Sequence, residues 1–240
     1  MRLDQFLVKN DICSRSEAKK LIRSGRVCVG GNRVSDPSVH VDEKADEISF
    51  DGQKIEYEDY RYYMLNKPMG YLSATEDDGC ATVLDLLKGE SRRDLFPVGR
   101  LDKDTEGLLL ITNNGKLAHD LLSPKKHVDK RYYAEVDKRL TGDELIAFAK
   151  GVDIGDDKPT LSARIEEAGD ERKSAYIVTI SEGRFHQIKR MFKAFGAEVI
   201  YLKRLSMGSL VLDEDLETGQ FRKLRPDETE SLLKAGEGKR

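Results

Sequence analysis

Three acidic side chains at alternate positions, Asp102, Asp104 and Glu106, stand in the segment Gly99-Arg100-Leu101-Asp102-Lys103-Asp104-Thr105-Glu106-Gly107, directly before the apolar run Leu108 to Thr112 and the turn Asn113-Asn114-Gly115. A loop that enters a buried strand is a place where a rigid scaffold can hold a charged group at fixed geometry. Three chemistries fit these residues. All three carboxylates could ligate a divalent cation, one could act as a nucleophile, or the group could be a solvated acidic turn. Residue types alone leave the three open. The histidines, His186 among them, lack metal-ligand spacing and are assigned no chemistry.

The elements around this segment read as a mixture. YYMLN, GLLLIT, KRYYAEVD and SAYIVTI carry the apolar runs and alternation of strands. Between them, helices are expected near Val83 to Leu87 and Leu117 to Leu122, and from the capping box Thr141-Gly142-Asp143-Glu144 to Gly151. A further helix spans His186 to Phe195, its apolar face formed by Ile188, Met191, Phe192 and Phe195, with Lys189, Arg190 and Lys193 outside it. Strands interrupted by helices without strict alternation indicate an α+β domain on a mainly antiparallel, mixed sheet flanked by helices. A polar, frayed tail is expected after Leu233.

The first sixty residues have a different logic. Leu3, Phe6 and Leu7 fall at helical spacing, and Ser14-Arg15-Ser16-Glu17 forms a capping box for a second helix that buries Ala18, Leu21 and Ile22 and stops at Gly25. Arg15, Lys19 and Arg23, four apart, make one positive stripe on it. RVCV and RVSD then flank Gly30-Gly31-Asn32, a hairpin signal. Two short helices, a basic stripe and a hairpin resemble the small α/β RNA-binding module known as the alpha-L motif, over about residues 1 to 45. Boundaries of 1–58 for this module with its linker, and 59–240 for the remainder, follow.

The chain has 240 residues and a formal net charge of -3, which by itself disfavours a nucleic-acid partner. The average conceals the distribution: residues 1–40 hold eight basic against four acidic residues, and residues 41–60 two against eight. Such asymmetry points to a localised anionic partner. Three widely spaced cysteines fit neither a disulfide framework nor a metal knuckle. No apolar run is long enough for a membrane helix and no export signal is evident, so a cytoplasmic location and no membrane association are expected.

GRLDKDTEGLLLITNNG resembles the central motif of the pseudouridine synthases, in particular those acting on small-subunit (16S) ribosomal RNA. MLNKPMGYLSAT at 64–75, KRYY at 130–133 and ISEGRFHQIKRMF at 180–192 agree with that family in order and spacing. The resemblance implies an isomerase that turns a uridine of structured RNA into pseudouridine, with Asp102 as the catalytic carboxylate and no cofactor or metal. It implies that Lys189 keeps Asp102 ionised, as a point charge where many relatives carry the forked arginine. It further implies that Tyr132 stacks the detached base, with Tyr133 on the other face of its strand, and that Arg100 fills the space left by the extruded nucleotide or holds its phosphate. Asn66, Lys67 and Pro68 would shape the pocket, and Arg2, Arg15, Lys19, Arg23 and Arg190 would contact RNA. The implied partner is 16S ribosomal RNA in a small-subunit assembly intermediate, bound by a monomer. Rival readings are a large-subunit enzyme, a metal-dependent phosphoryl-transfer enzyme using the three carboxylates, and a non-catalytic RNA-binding protein.

Overall fold

The computed structural model describes residues 1–10, 12–169 and 174–237 and divides the chain into two compact units, Met1–Tyr60 and Arg61–Arg240.

In the first unit α1 (Leu3–Lys9) and α2 (Arg15–Arg23) precede a four-stranded antiparallel sheet of β1 (Val27–Val29), β2 (Asn32–Arg33), β3 (Ile48–Phe50) and β4 (Gln53–Lys54), in the order β2-β1-β3-β4. The expected capping box is present: Ser14 accepts from the Glu17 amide, and the Glu17 carboxylate accepts from the Ser14 amide at 2.9 Å. Caps of this kind contribute about 1 kcal/mol. Leu3, Phe6, Leu7, Ala18, Ile22, Val27 and Ile48 close one small core. Arg15, Lys19 and Arg23 remain exposed along α2.

The second unit is built on one nine-stranded sheet. Its strands and helices are β5 (Tyr62–Lys67), β6 (Phe96–Pro97), β7 (Glu106–Thr112), α3 (Gly115–Leu122), β8 (Lys130–Val136), α4 (Gly142–Lys150), β9 (Arg164–Glu167), β10 (Ser174–Ile180), α5 (Gln187–Lys193), β11 (Val199–Met207), β12 (Leu210–Val211), β13 (Phe221–Lys223) and α6 (Pro226–Glu237). A 3-10 helix, Val83–Leu86, lies between β5 and β6. The order is β13-β5-β7-β11-β8-β10-β9, with β12 on β11 and β6 on β7. Every pairing is antiparallel except β7 with β11, whose parallel register is Lys203↔Glu106 and Arg204↔Gly107. Alternation sends successive side chains to opposite faces. Tyr63, Leu65, Leu109, Ile111, Tyr132, Ala134 and Leu202 pack on one face with Phe148 of α4 and Ile188, Met191 and Phe192 of α5. Met64, Leu108, Leu110 and Met207 pack on the other with α3 and Leu232 of α6.

The sequence reading does not name the short strands β6, β9, β12 and β13, the helix expected near Val83 to Leu87 is a 3-10 helix, and two longer elements also differ. β11, which no periodicity signal picked out, occupies the middle of the sheet, because an arginine at a core-facing position interrupts its apolar alternation. The polar segment after Leu233 continues α6 to Glu237, and fully buried Leu232 anchors that helix.

Candidate active site

β6 pairs with the far end of β7, Phe96 opposite Thr112, so the chain must run back along β7 and turn through residues 98–105 before entering it. That turn carries Asp102. Its backbone is held from several sides. The Ser73 hydroxyl donates to the Leu101 carbonyl at 2.9 Å and accepts from the Leu101 amide at 3.0 Å. The Thr105 amide donates to the Asp102 carbonyl, and the Gly70 amide to that of Lys103. Lys67, at the end of β5 and 0% exposed, donates to the carbonyls of Thr105 at 2.8 Å, Asp102 and Pro68 at 3.0 Å each, and Lys103 at 3.4 Å. A buried ammonium thus fastens the main chain at and just after the residue that bears the carboxylate. Burial lowers Lys67 from the ordinary lysine value of 10.5 to about 8, although Asp104, Asp102 and Glu106 act in the opposite sense.

The Asp102 side chain, 26% exposed, faces a cleft of about 670 Å³. Lys189 reaches it from the first turns of α5, with Nζ 3.3 Å from Asp102 Oδ2 and 2.5 Å from Asp104 Oδ1. Burial pushes the Asp104 carboxyl up, but the hydrogen bond and charge of Lys189, a backbone amide and His186 outweigh it and hold the group below its ordinary range. His186 caps α5 in a left-handed conformation, φ 48°, and sets Nε2 3.5 Å from Asp102 Oδ1. Its ring stacks on Phe185 at 3.8 Å between centroids, and Phe185 is 76% exposed at the cleft. Glu106 turns away from this group and accepts from the Tyr201 hydroxyl at 2.7 Å. The three alternate carboxylates therefore do not converge, and among the described residues no group of three His, Cys, Asp or Glu side chains is placed to hold a metal ion.

The floor of the cleft is a transverse row of the sheet. Register pairs Lys67 with Gly107, Gly107 with Arg204, and Arg204 with Tyr132, so all four positions share one face. Gly107 lies against Arg204 so closely that a Cβ there would meet the Arg204 carbonyl oxygen at 2.3 Å, and its φ of 98° independently demands glycine. Tyr132 lines the cleft. Tyr133 points to the opposite face, where its ring meets Tyr201 edge-on at 6.2 Å.

A carboxylate on a fastened loop, an ammonium on it and an aromatic ring share this cleft. The sequence profile of the RNA pseudouridylate synthase family matches residues 61–194, and that of the S4 domain matches residues 1–48. An uncharacterized RNA pseudouridine synthase of Bacillus subtilis is 44% identical over 97% of this chain and 98% of its own length. The ribosomal small subunit pseudouridine synthase A of Haemophilus influenzae is 38% identical over 98% of this chain and 100% of its own, and that of Escherichia coli K12 is 37% identical over 97% and 100%. The chain belongs to the RNA pseudouridylate synthase family. It is an RNA pseudouridine synthase, an isomerase, carrying an N-terminal S4 domain. A crystal structure of a pseudouridylate synthase, 38% identical, superposes with a TM-score of 0.68 over 97% of this chain and 99% of that one.

In this synthase the cleft brings together Asp102, Lys189, Tyr132 and Arg100, the last exposed at the rim. Asn66 and Lys67 sit elsewhere. Asn66 points to the opposite face of the sheet, where its amide donates to the Leu216 carbonyl at 2.7 Å, so it does not shape the pocket. Lys67 lies beneath the loop and bonds main chain, so it positions the Asp102 loop and does not line the cleft. Arg190, expected to face RNA, is half-buried and braces the segment after α4, binding the Ile154 carbonyl at 2.6 Å and the Asp156 carboxylate. Arg2 pairs with Asp4 at 2.9 Å while keeping part of its side chain at the surface. Sequence reasoning missed His186, Phe185 and Arg204. The search for metal spacing hid the first, whereas an arginine at a core-facing strand position was a readable signal for the last.

Proposed function

We propose that this chain isomerises a uridine of 16S ribosomal RNA to pseudouridine, with Asp102 as the attacking carboxylate. The observation that carries the proposal is the immobilised Asp102 side chain, 3.3 Å from Lys189 in the cleft that Tyr132 lines. Isomerisation breaks the N1–C1′ bond, turns the base and joins C5 to C1′. An ionised carboxylate that adds to ribose C1′ or to the base holds one fragment during the turn. Lys189 sets a counter-charge 3.3 Å from that carboxylate. A stacked uridine hides its glycosidic bond, so the nucleotide is extruded at a cost of a few kcal/mol, and stacking on Tyr132 returns about 1–3 kcal/mol. Arg100 at the rim is suited to the vacated position or to the displaced phosphate.

The names of the small-subunit relatives support 16S RNA as substrate, and the exposed stripe Arg15, Lys19 and Arg23 on the S4 domain supplies sequence-blind phosphate contacts. In this reading a cytoplasmic monomer acts on a small-subunit assembly intermediate without a cofactor. Asp102→Asn is expected to bind the RNA yet form no pseudouridine, read by mapping pseudouridine in small- and large-subunit RNA incubated with wild type and variant. Turnover by the variant at the parent rate would refute the assignment. Modification confined to large-subunit RNA would transfer the substrate to the rival class.

A further inference from the structure

Arg204 is 2% exposed, the largest fully buried side chain of the structure, and lies in the cleft wall beside Tyr132. Its Nε donates to the Leu108 carbonyl at 2.7 Å, but its Nη2 is buried with no hydrogen-bond partner. No carboxylate lies within ion-pair distance of it among the described residues, while Lys67 and Lys130, the nearby cations, are themselves buried. An unpaired buried charge costs several kcal/mol, and an unsatisfied buried donor adds to that cost. Among the described residues nothing pairs with that donor, so an anionic group seated in the cleft would supply its missing partner.

We propose that Arg204 is the counter-charge for the pyrimidine while it is detached from the ribose. This rests on the reading of Asp102 and Tyr132 given above. When N1–C1′ breaks, its electron pair stays on the base, and the resulting uracil anion spreads that charge over N1, O2 and O4. C1′ meanwhile bonds to the Asp102 carboxylate or loses its excess positive charge by shedding the C2′ proton. When C5 bonds C1′, the Asp102–C1′ bond breaks and releases the carboxylate, or on the other route Asp102 returns to C2′ the proton it took. The C5 proton then departs and N1, freed of the ribose, gains one, so the product base is neutral. A ring held on Tyr132 has its edge beside the neighbouring cross-strand position, which is Arg204. A fixed cation there stabilises charge that exists only after the bond begins to break, the condition for lowering the barrier instead of tightening binding.

The test is single-turnover conversion of 16S ribosomal RNA by the full chain and by Arg204→Met and Arg204→Lys, with RNA affinity and melting temperature measured alongside. Arg204→Met should convert about 100-fold more slowly, the usual scale for one lost charge-stabilising donor. Its RNA affinity should stay within about twofold, and its melting temperature should not fall, because an apolar chain replaces an unpaired buried charge. Arg204→Lys should recover at least about tenfold of the lost rate. Placing 5-fluorouridine at the target, whose base is a better leaving group, should shrink the Arg204→Met deficit in glycosidic cleavage. A rate near that of wild type, a deficit identical for both nucleotides, or a melting temperature lowered in step with activity would each overturn the proposal and make Arg204 a packing residue. Failure of the underlying function is read separately: there the wild type itself forms no pseudouridine, or Asp102→Asn does.

Discussion

The two basic regions of the molecule obey opposite rules. On α2 of the S4 domain, Arg15, Lys19 and Arg23 stand in solvent along one helix face. Beneath the cleft, Lys67 and Arg204 are removed from water within one transverse row of the sheet. Exposed cations cost almost nothing to keep and are screened by salt, which suits a partner held loosely and in many registers. Buried cations are expensive and barely screened, which suits a task requiring one geometry. Lys189 stands between them, partly exposed and committed to two carboxylates. The same side-chain chemistry is thus kept in solvent in one unit and out of water in the other.

Lys189 offers the severest way to break this contrast. Lys189→Met should slow single-turnover conversion by about 1000-fold, because it strips the cation from the carboxylate proposed to attack, and should leave RNA affinity within about twofold. An equal loss of affinity and rate would class Lys189 with the exposed stripe. Lys67→Met should cost less in rate, about 50-fold, since it loosens the loop without touching the reacting atoms. It should also lower the melting temperature, because four carbonyls lose their donor.

Lys67 also sharpens the contrast through pH. Burial lowers it to about 8, so the folded chain sheds this proton there, whereas the unfolded chain keeps it up to the ordinary value near 10.5. Between those values the folded state binds fewer protons, so this group's contribution to stability rises with pH. The neutral amine, however, has one N–H fewer for the loop, so the conversion rate should decline as pH passes about 8. Melting curves of wild type against Lys67→Met across that window, set beside rate profiles, test the divergence. A rate that climbs together with stability would show that Lys67 does not position the loop.

The smallest effect belongs to the stripe. Arg15, Lys19 and Arg23 changed together to Gln should weaken RNA binding by about tenfold, reduce the slope of log affinity against log salt by about 2 to 3, and leave the saturated rate unaltered. An unchanged slope would remove α2 from the RNA-binding surface.

What was legible in the sequence follows the range of the forces involved. The capping boxes at Ser14 and Thr141 and the stripe on α2 are local, and each stands where the residue spacing requires. Tyr132 was separable from Tyr133 because strand alternation allows only one to face a given side. Asn66 and Lys67 are adjacent yet face opposite sides of β5, and nothing local tells which side holds the cleft, so both were assigned to it. β11 escaped because its central Arg204 defeats an apolar pattern, and its role depends on strands some seventy to a hundred residues earlier in the chain. His186 escaped because its approach to Asp102 depends on a tertiary contact and a left-handed backbone.

The parallel pairing of β7 with β11 makes the cleft a seam. On one side, β13, β5 and β7 carry Lys67 and the Asp102 loop; on the other, β11, β8, β10 and β9 carry Arg204 and Tyr132. Each side is an antiparallel array, and the ladder joining them is registered at Lys203↔Glu106 and Arg204↔Gly107. A slip of one residue along that ladder would part the Asp102 loop from Tyr132. Catalytic competence is therefore a property of the join, and it is the first thing that heat or denaturant should take away.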